Sequence, residues 1–175
     1  PTYFLKPPTS YVAEGSPIRL PAGLRVDYEV ELGVIIGHPG RCIQEKNAMN
    51  YVDGYCVAVD LTARHLQDEA KAQGLPWTQA KGYDTFCPVS AYIPKQAIHD
   101  LNDLSIWLKI NGQMRQSGNI GDMIFKIPTL IQAISQVMKL EPGDLILTGS
   151  PSGVGELKVG DVLTAGVGHD HVKMQ

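Results

Sequence analysis

The chain has 175 residues and a mass of 19.0 kDa, enough for one domain with a properly buried core. Hydrophobic residues make up 43% and charged residues 19%, the balance of an ordinary soluble globular protein; a formal net charge of −3, with no Lys/Arg cluster, argues against nucleic acid or an anionic membrane surface as partner. Cys42, Cys56 and Cys87 are far apart and give neither a disulfide framework nor a zinc-ligand spacing, and no apolar run is long enough to span a bilayer, so a reducing, intracellular compartment is expected.

The chain opens at Pro1 without a methionine and runs straight into Tyr3-Phe4-Leu5, which reads as a strand; a natural protein continuing upstream is expected. Glycine and proline are plentiful, which predicts tight turns between short strands, and Pro17–Pro21 is one short segment bounded by prolines. Val26–Ile36 (V-D-Y-E-V-E-L-G-V-I-I) begins with near-strict alternation and then turns apolar throughout, as a strand does when it passes from a half-exposed to a buried position. Tyr51–Asp60 is another β-branched, apolar run. Thr62–Gln73 reads as a helix, capped by Thr62, with Leu66 and Ala70 four apart and Gly74 at its stop. Ser105–Asn111, followed by Gly112, alternates like a hairpin arm. Pro128–Leu140 reads as a second helix with proline in its first turn and Ile131, Ile134 and Met138 on one face. Leu145–Thr148 and Val162–Val167 complete the strands. Short strands with two good helices predict an α+β, β-dominated domain covering residues 1–175.

Side chains two apart in a strand leave from one face, so Glu29 and Glu31 project together, about 6.6 Å apart along the strand at a rise of about 3.3 Å per residue. Val30 and Leu32 then face the core. Two carboxylates this close raise each other's pKa unless a cation sits between them, and Mg²⁺, Mn²⁺ or Ca²⁺ is the natural hard cation; the alternative is a solvated sheet face. Asp60 ends an apolar strand, where an acid either caps the following helix or supplies a third ligand. Arg64 and Gln67, three apart near that helix's start, share a face and suit a substrate carboxylate, or else decorate the surface. Lys81 lies between aromatic and apolar neighbours, where it could stabilise an enolate or simply snorkel to water. The stretch from Thr148 to Gly155 follows a strand and its backbone N–H groups could hold an anion, but it lacks the signature of a nucleotide P-loop. His169 and His171 have strand-like ligand spacing, but near the chain end they read as solvated.

Taken together, Phe4-Leu5-Lys6-Pro7, Tyr28-Glu29-Val30-Glu31-Leu32-Gly33-Val34, Asp60-Leu61-Thr62-Ala63-Arg64, Gln67-Asp68-Glu69, Gly74–Thr78, Ala80-Lys81-Gly82-Tyr83-Asp84 and Leu147–Gly155 resemble the fumarylacetoacetate hydrolase family, in family order and over nearly the whole chain. The nearest branch is the short, single-domain one of acylpyruvate hydrolases, oxaloacetate decarboxylases and oxaloacetate tautomerases. The resemblance implies a mixed β-roll with short flanking helices, Mg²⁺ or Mn²⁺ on Glu29, Glu31 and Asp60, and substrate contacts from Arg64, Gln67, Lys81 and Thr148. It also implies a homodimer acting on small 2-oxo acids, by C–C hydrolysis of acylpyruvates or by decarboxylation of oxaloacetate through a metal-stabilised enolate. Oxaloacetate tautomerisation, hydroxydienoate isomerisation or decarboxylation, and a non-catalytic metal-binding scaffold are the alternatives. Such a protein is mitochondrial in a eukaryote and cytoplasmic in a bacterium. The family's Gly-x-Asn-Tyr-x-x-His segment, which supplies a catalytic base on a lid, is expected upstream of Pro1.

Overall fold

The computed structural model describes residues 1–168 and 173–174, so His169 and His171 lie outside the described residues. The strands are β1 (Tyr11–Ala13), β2 (Val26–Tyr28), β3 (Val30–Ile36), β4 (Val52–Val59), β5 (Thr62–Ala63), β6 (Cys87–Val89) and β7 (Ile93–Pro94), followed by β8 (Ser105–Ile110), β9 (Gln113–Asn119), β10 (Leu145–Leu147), β11 (Gly155–Leu157), β12 (Leu163–Val167) and β13 (Lys173–Met174). The α-helices are α1 (Arg64–Gln73), α2 (Thr78–Lys81) and α3 (Ile127–Val137). The main sheet runs β1-β6-β4-β3-β10, with β7 also on β4; among the described residues its β1–β6 pair is parallel and its other pairs are antiparallel. A three-stranded sheet β11-β2-β5 and a four-stranded sheet β13-β12-β8-β9 are antiparallel, which gives the strand-rich α+β class expected.

β3 and β4 form the centre. Both are covered on two faces, which is why their sequences lose the alternation of a half-exposed strand. Val30, Leu32, Val34 and Ile36 join Val57, Val59 and Phe86 in one buried core that extends to Ile106, Leu108 and Ile110 of β8. Gly33 makes room for tight packing here: a Cβ on it would lie 2.6 Å from the Cys56 Sγ and 2.7 Å from a methyl of Leu145, so both side chains would have to shift. The β8–β9 hairpin closes through Asn111 and Gly112, both at positive φ (51° and 78°), the pairing that a two-residue hairpin turn demands.

Several boundaries differ from expectation. Tyr3–Leu5 is not a strand; Phe4 instead packs on Trp77, with ring centroids 5.6 Å apart. Val26–Ile36 is two strands, interrupted at Glu29, because β2 leaves the main sheet to pair with β5 and β11. The first helix starts at Arg64 and Thr62 does not cap it, since Thr62 and Ala63 pair with Asp27 and Val26 as β5. Gly74 does stop that helix in the left-handed conformation. α3 ends at Val137, earlier than expected: Met138 is extended, and Leu140 bridges to Gly40. Trp77 to Tyr83 contains a short helix, α2, that the sequence pattern did not show.

Candidate active site

Three strand ends meet beside β3. Glu29 sits in the break between β2 and β3, Glu31 on β3 itself, and Asp60 immediately after β4. The antiparallel ladder sets their order, since Val30 faces Val59 and the Asp60 N–H donates to the Glu29 carbonyl at 2.8 Å. One carboxylate oxygen from each of Glu29, Glu31 and Asp60 lies within 4.8 Å of the others. The solvated-face and helix-cap alternatives both fail: Glu31 and Asp60 are buried, Asp60 caps nothing, and Glu29 is mostly covered.

The cations are placed around this cluster unevenly. Lys81, only 1% exposed, is brought in by α2; its Nζ donates to Glu29 Oε2 at 3.0 Å, to the Thr62 hydroxyl at 2.7 Å, and to Asp60 Oδ2. It also lies 4.6 Å from the centre of the Phe4 ring, so it does not snorkel to water. Lys6 is 2.7 Å from Asp60 Oδ1, but off the hydrogen-bond axis, so that this buried oxygen accepts no hydrogen bond. The Lys6 protons go to the carbonyls of Lys81 (2.6 Å) and Leu61 (3.2 Å). Arg64 uses Nε on Asp27 (2.8 Å), Nη2 on Glu29 Oε1 (2.5 Å) and Nη1 on Gln67 Oε1 (2.5 Å). Asp27 is further paired with Arg25 at 2.8 Å.

Glu31 is the exception. Its contact is the Gly149 N–H, 2.6 Å from Oε2, and no lysine or arginine pairs with it among the described residues. Burial first, then the charge of Asp60, pushes its carboxyl up to about 8. In the Thr148–Gly155 stretch, whose backbone N–H groups were expected to face an anion, the Gly149 N–H is thus taken by a carboxyl group of the protein itself. Thr148, at its start, donates its hydroxyl proton to the Leu32 carbonyl at 2.9 Å and keeps lone pairs free to accept.

The donor set fits a hard divalent ion. Three carboxylates converge, one lacks a compensating cation, and a second has an oxygen without a hydrogen bond. Soft ligation is out of place, because burial pushes the Cys56 and Cys87 thiols up to about 12 and keeps them protonated at neutral pH.

All seven residues singled out in the sequence, Glu29, Glu31, Asp60, Arg64, Gln67, Lys81 and Thr148, fall in this region, linked through the contacts above. Lys6, Asp27 and Thr62 were missed as members; Gly149 lay in the stretch singled out for its backbone N–H groups, but its partner Glu31 was not foreseen. Asp27 continues the period-two series of Glu29 and Glu31 and was legible in principle. Lys6 and Gly149 reach the site only through the tertiary fold.

The sequence matches the family model "Fumarylacetoacetate (FAA) hydrolase C-terminal" over residues 1–172. It is 53% identical over 169 residues to the mitochondrial oxaloacetate decarboxylase of Dictyostelium discoideum, which covers 95% of this chain and 78% of that protein. It is 50% identical over 175 residues to the human mitochondrial oxaloacetate tautomerase FAHD1, covering 99% of this chain and 79% of that protein. Its fold superposes with a TM-score of 0.90, at 31% identity, on fumarylpyruvate hydrolase from Pseudomonas aeruginosa in complex with Mn²⁺ and pyruvate, covering 98% of this chain and 75% of that one. The chain belongs to the fumarylacetoacetate hydrolase family.

Proposed function

We propose that this chain is a divalent-metal-dependent enzyme that converts oxaloacetate, by decarboxylation to pyruvate, by keto–enol tautomerisation, or by both. The observation that carries the reading is the convergence of Glu29, Glu31 and Asp60 with a buried Lys81 held against two of them. Relatives at 50% identity or more that are named for oxaloacetate chemistry support it.

Glu29, Glu31 and Asp60 would hold Mg²⁺ or Mn²⁺, which when bound supplies Lewis acidity toward the carbonyl of a 2-oxo acid. Both reactions place negative charge on the C2 oxygen. In decarboxylation the C3–C4 bond breaks, CO₂ leaves, and the electron pair moves onto that oxygen before C3 is protonated. In tautomerisation a C3 proton leaves and the oxygen takes a proton. Lys81 is the group that meets this charge: its ammonium is fixed before the reaction and shielded from water, where a charge interaction is strongest. Arg64 has N–H groups beyond the three already bonded, and with the amide of Gln67 it orients a substrate carboxylate. Thr148, its own proton committed to Leu32, accepts a hydrogen bond from the enol hydroxyl.

Hydrolysis of acylpyruvates is the second reading, favoured by the likeness to the fumarylpyruvate hydrolase, and it additionally needs a base to activate water. The same proposal takes residues 1–175 as one catalytic domain of a homodimer. It places the protein in mitochondria in a eukaryote, as its named relatives are, and in the cytoplasm in a bacterium. No helix among the described residues is long and apolar enough to cross a membrane.

The test is to follow both oxaloacetate tautomers, pyruvate formation and acylpyruvate cleavage with Mg²⁺, with Mn²⁺ and with excess chelator. Metal-dependent loss of an oxaloacetate tautomer supports the proposal. Cleavage of acylpyruvates with oxaloacetate untouched would replace it with the second reading.

A further inference from the structure

Gln116 lies on β9 in a different sheet from the carboxylates, yet it is completely buried, and its side-chain amide reaches both the segment that carries Glu29 and Glu31 and the loop that follows Thr148. Its Oε1 accepts the Val30 N–H at 2.9 Å, at the point where the chain turns from β2 into β3. Its Nε2 donates to the Ser150 hydroxyl at 2.8 Å and to the Pro151 carbonyl at 2.9 Å. The orientation of the amide is fixed by its partners, because the Val30 N–H can only donate and the Pro151 carbonyl can only accept.

The local structure is built to place it there. β9 carries a bulge: Leu108 pairs with Gln116 and Lys109 with Met114, so Arg115 is the extra residue. Met114, Arg115 and Ser117 are exposed while Gln116 alone of these turns inward, as a bulge permits. The loop after Thr148 then lies directly on β9. A Cβ at Gly118 would be 2.7 Å from the Pro151 Cβ, and a Cβ at Gly153 would collide with the Arg115 carbonyl. Gly153 also has φ +96°, so the close approach and the backbone conformation demand glycine together.

From these contacts we infer that Gln116 is a positioning residue that sets Glu29 and Glu31 relative to each other. At one end it fixes the Glu29–Val30 step. At the other it fixes the loop whose Gly149 N–H donates to the Glu31 carboxyl group at 2.6 Å. The inference rests on the metal reading of the site in one respect: the consequence of losing this geometry is weaker divalent binding. A hydrogen-bonded shell behind the ligands characteristically contributes in this way.

The experiment compares wild type, Gln116→Met and Ile131→Ala, the last being a core truncation in α3 that supplies a structural control. Two quantities are read: Mn²⁺ affinity by electron paramagnetic resonance of the free ion, and amide hydrogen exchange at Gly149 and Val30. Gln116→Met is expected to weaken Mn²⁺ binding at least about tenfold and to deprotect the Gly149 and Val30 amides, while Ile131→Ala changes neither beyond its global loss of stability. Normal Mn²⁺ affinity together with a protected Gly149 amide in Gln116→Met overturns the inference. A wild type that does not bind Mn²⁺ at all overturns the metal reading instead, and the exchange result then decides the role of Gln116 alone. If Gln116→Met does not fold, Ser150→Ala removes one loop partner and should deprotect Gly149 selectively; protection equal to wild type overturns the inference.

Discussion

The Asp60 N–H donates to the Glu29 carbonyl across 2.8 Å, so main-chain pairing at the ends of β3 and β4 brings these two carboxylates together. Neutralising either side chain therefore leaves the backbone frame in place, and the effects that follow are those of charge. Asp60 neutralises two lysines, Lys6 and Lys81, whose side chains are 8% and 2% exposed. Asp60→Asn is expected to destabilise the metal-free protein by about 3–5 kcal/mol, because two buried ammonium groups lose a counter-charge. Glu31→Gln, by contrast, is expected to cost less than about 1 kcal/mol at neutral pH, because Glu31 without a cation is already mostly protonated. Chelator-treated melting curves of the two variants check this, and equal losses would refute the unequal charge distribution.

The raised Glu31 carboxyl also makes metal binding proton-linked. Its pKa moves from 4.5 to about 8 on folding, so between these values the metal-free native chain holds a proton that the unfolded chain has lost. Stability of the metal-free protein then falls as pH rises through that window and levels off above about 8. An incoming ion displaces the proton, so Mn²⁺ affinity should rise by about one order of magnitude per pH unit below that pKa and flatten above it. Titration calorimetry in buffers of different ionisation enthalpy should detect close to one proton released per ion at neutral pH. Binding with no proton release contradicts the assignment.

Lys81→Met tests the role of the fixed ammonium. Turnover of oxaloacetate should fall by about a hundredfold, while Mn²⁺ affinity holds or tightens, since a competing cation has left Glu29 and Asp60. Borohydride should trap no adduct in the wild type, because the Lys81 amine is held in ion pairs to Glu29 and Asp60 rather than free to attack a carbonyl. Near-normal kcat in the variant would remove Lys81 from the chemistry.

Arg64→Lys keeps the charge and loses the fork that joins Asp27, Glu29 and Gln67. The expected result is a KM for oxaloacetate raised about tenfold with a smaller change in kcat, since the contact to the substrate carboxylate is made in ground and transition states alike. Steady-state kinetics at saturating Mg²⁺ decides this; an unchanged KM assigns Arg64 wholly to holding Glu29.

The carboxylates were legible in the sequence because period-two spacing and an acid closing an apolar strand are local signals, and they survive even the unexpected break at Glu29. The central strands were legible for the same reason. What could not be read locally was everything that depends on a second segment: Lys6 reaching the Lys81 carbonyl from near the start of the chain, Thr62 diverted from capping into β5, and the Gly149 N–H claimed by Glu31. Gln116 is the extreme case. A glutamine in the exposed-looking run Gln113–Asn119 is turned inward by a bulge that has no signature in composition or period.

The most direct test of the central claim is a calorimetric titration of Mn²⁺ into the wild type and Glu31→Ala. The wild type should bind one ion per chain. Removing the carboxylate that has no other cation should weaken that binding by at least about tenfold without unfolding the protein. Equal affinity in the two proteins would contradict the metal site and, with it, the proposed chemistry.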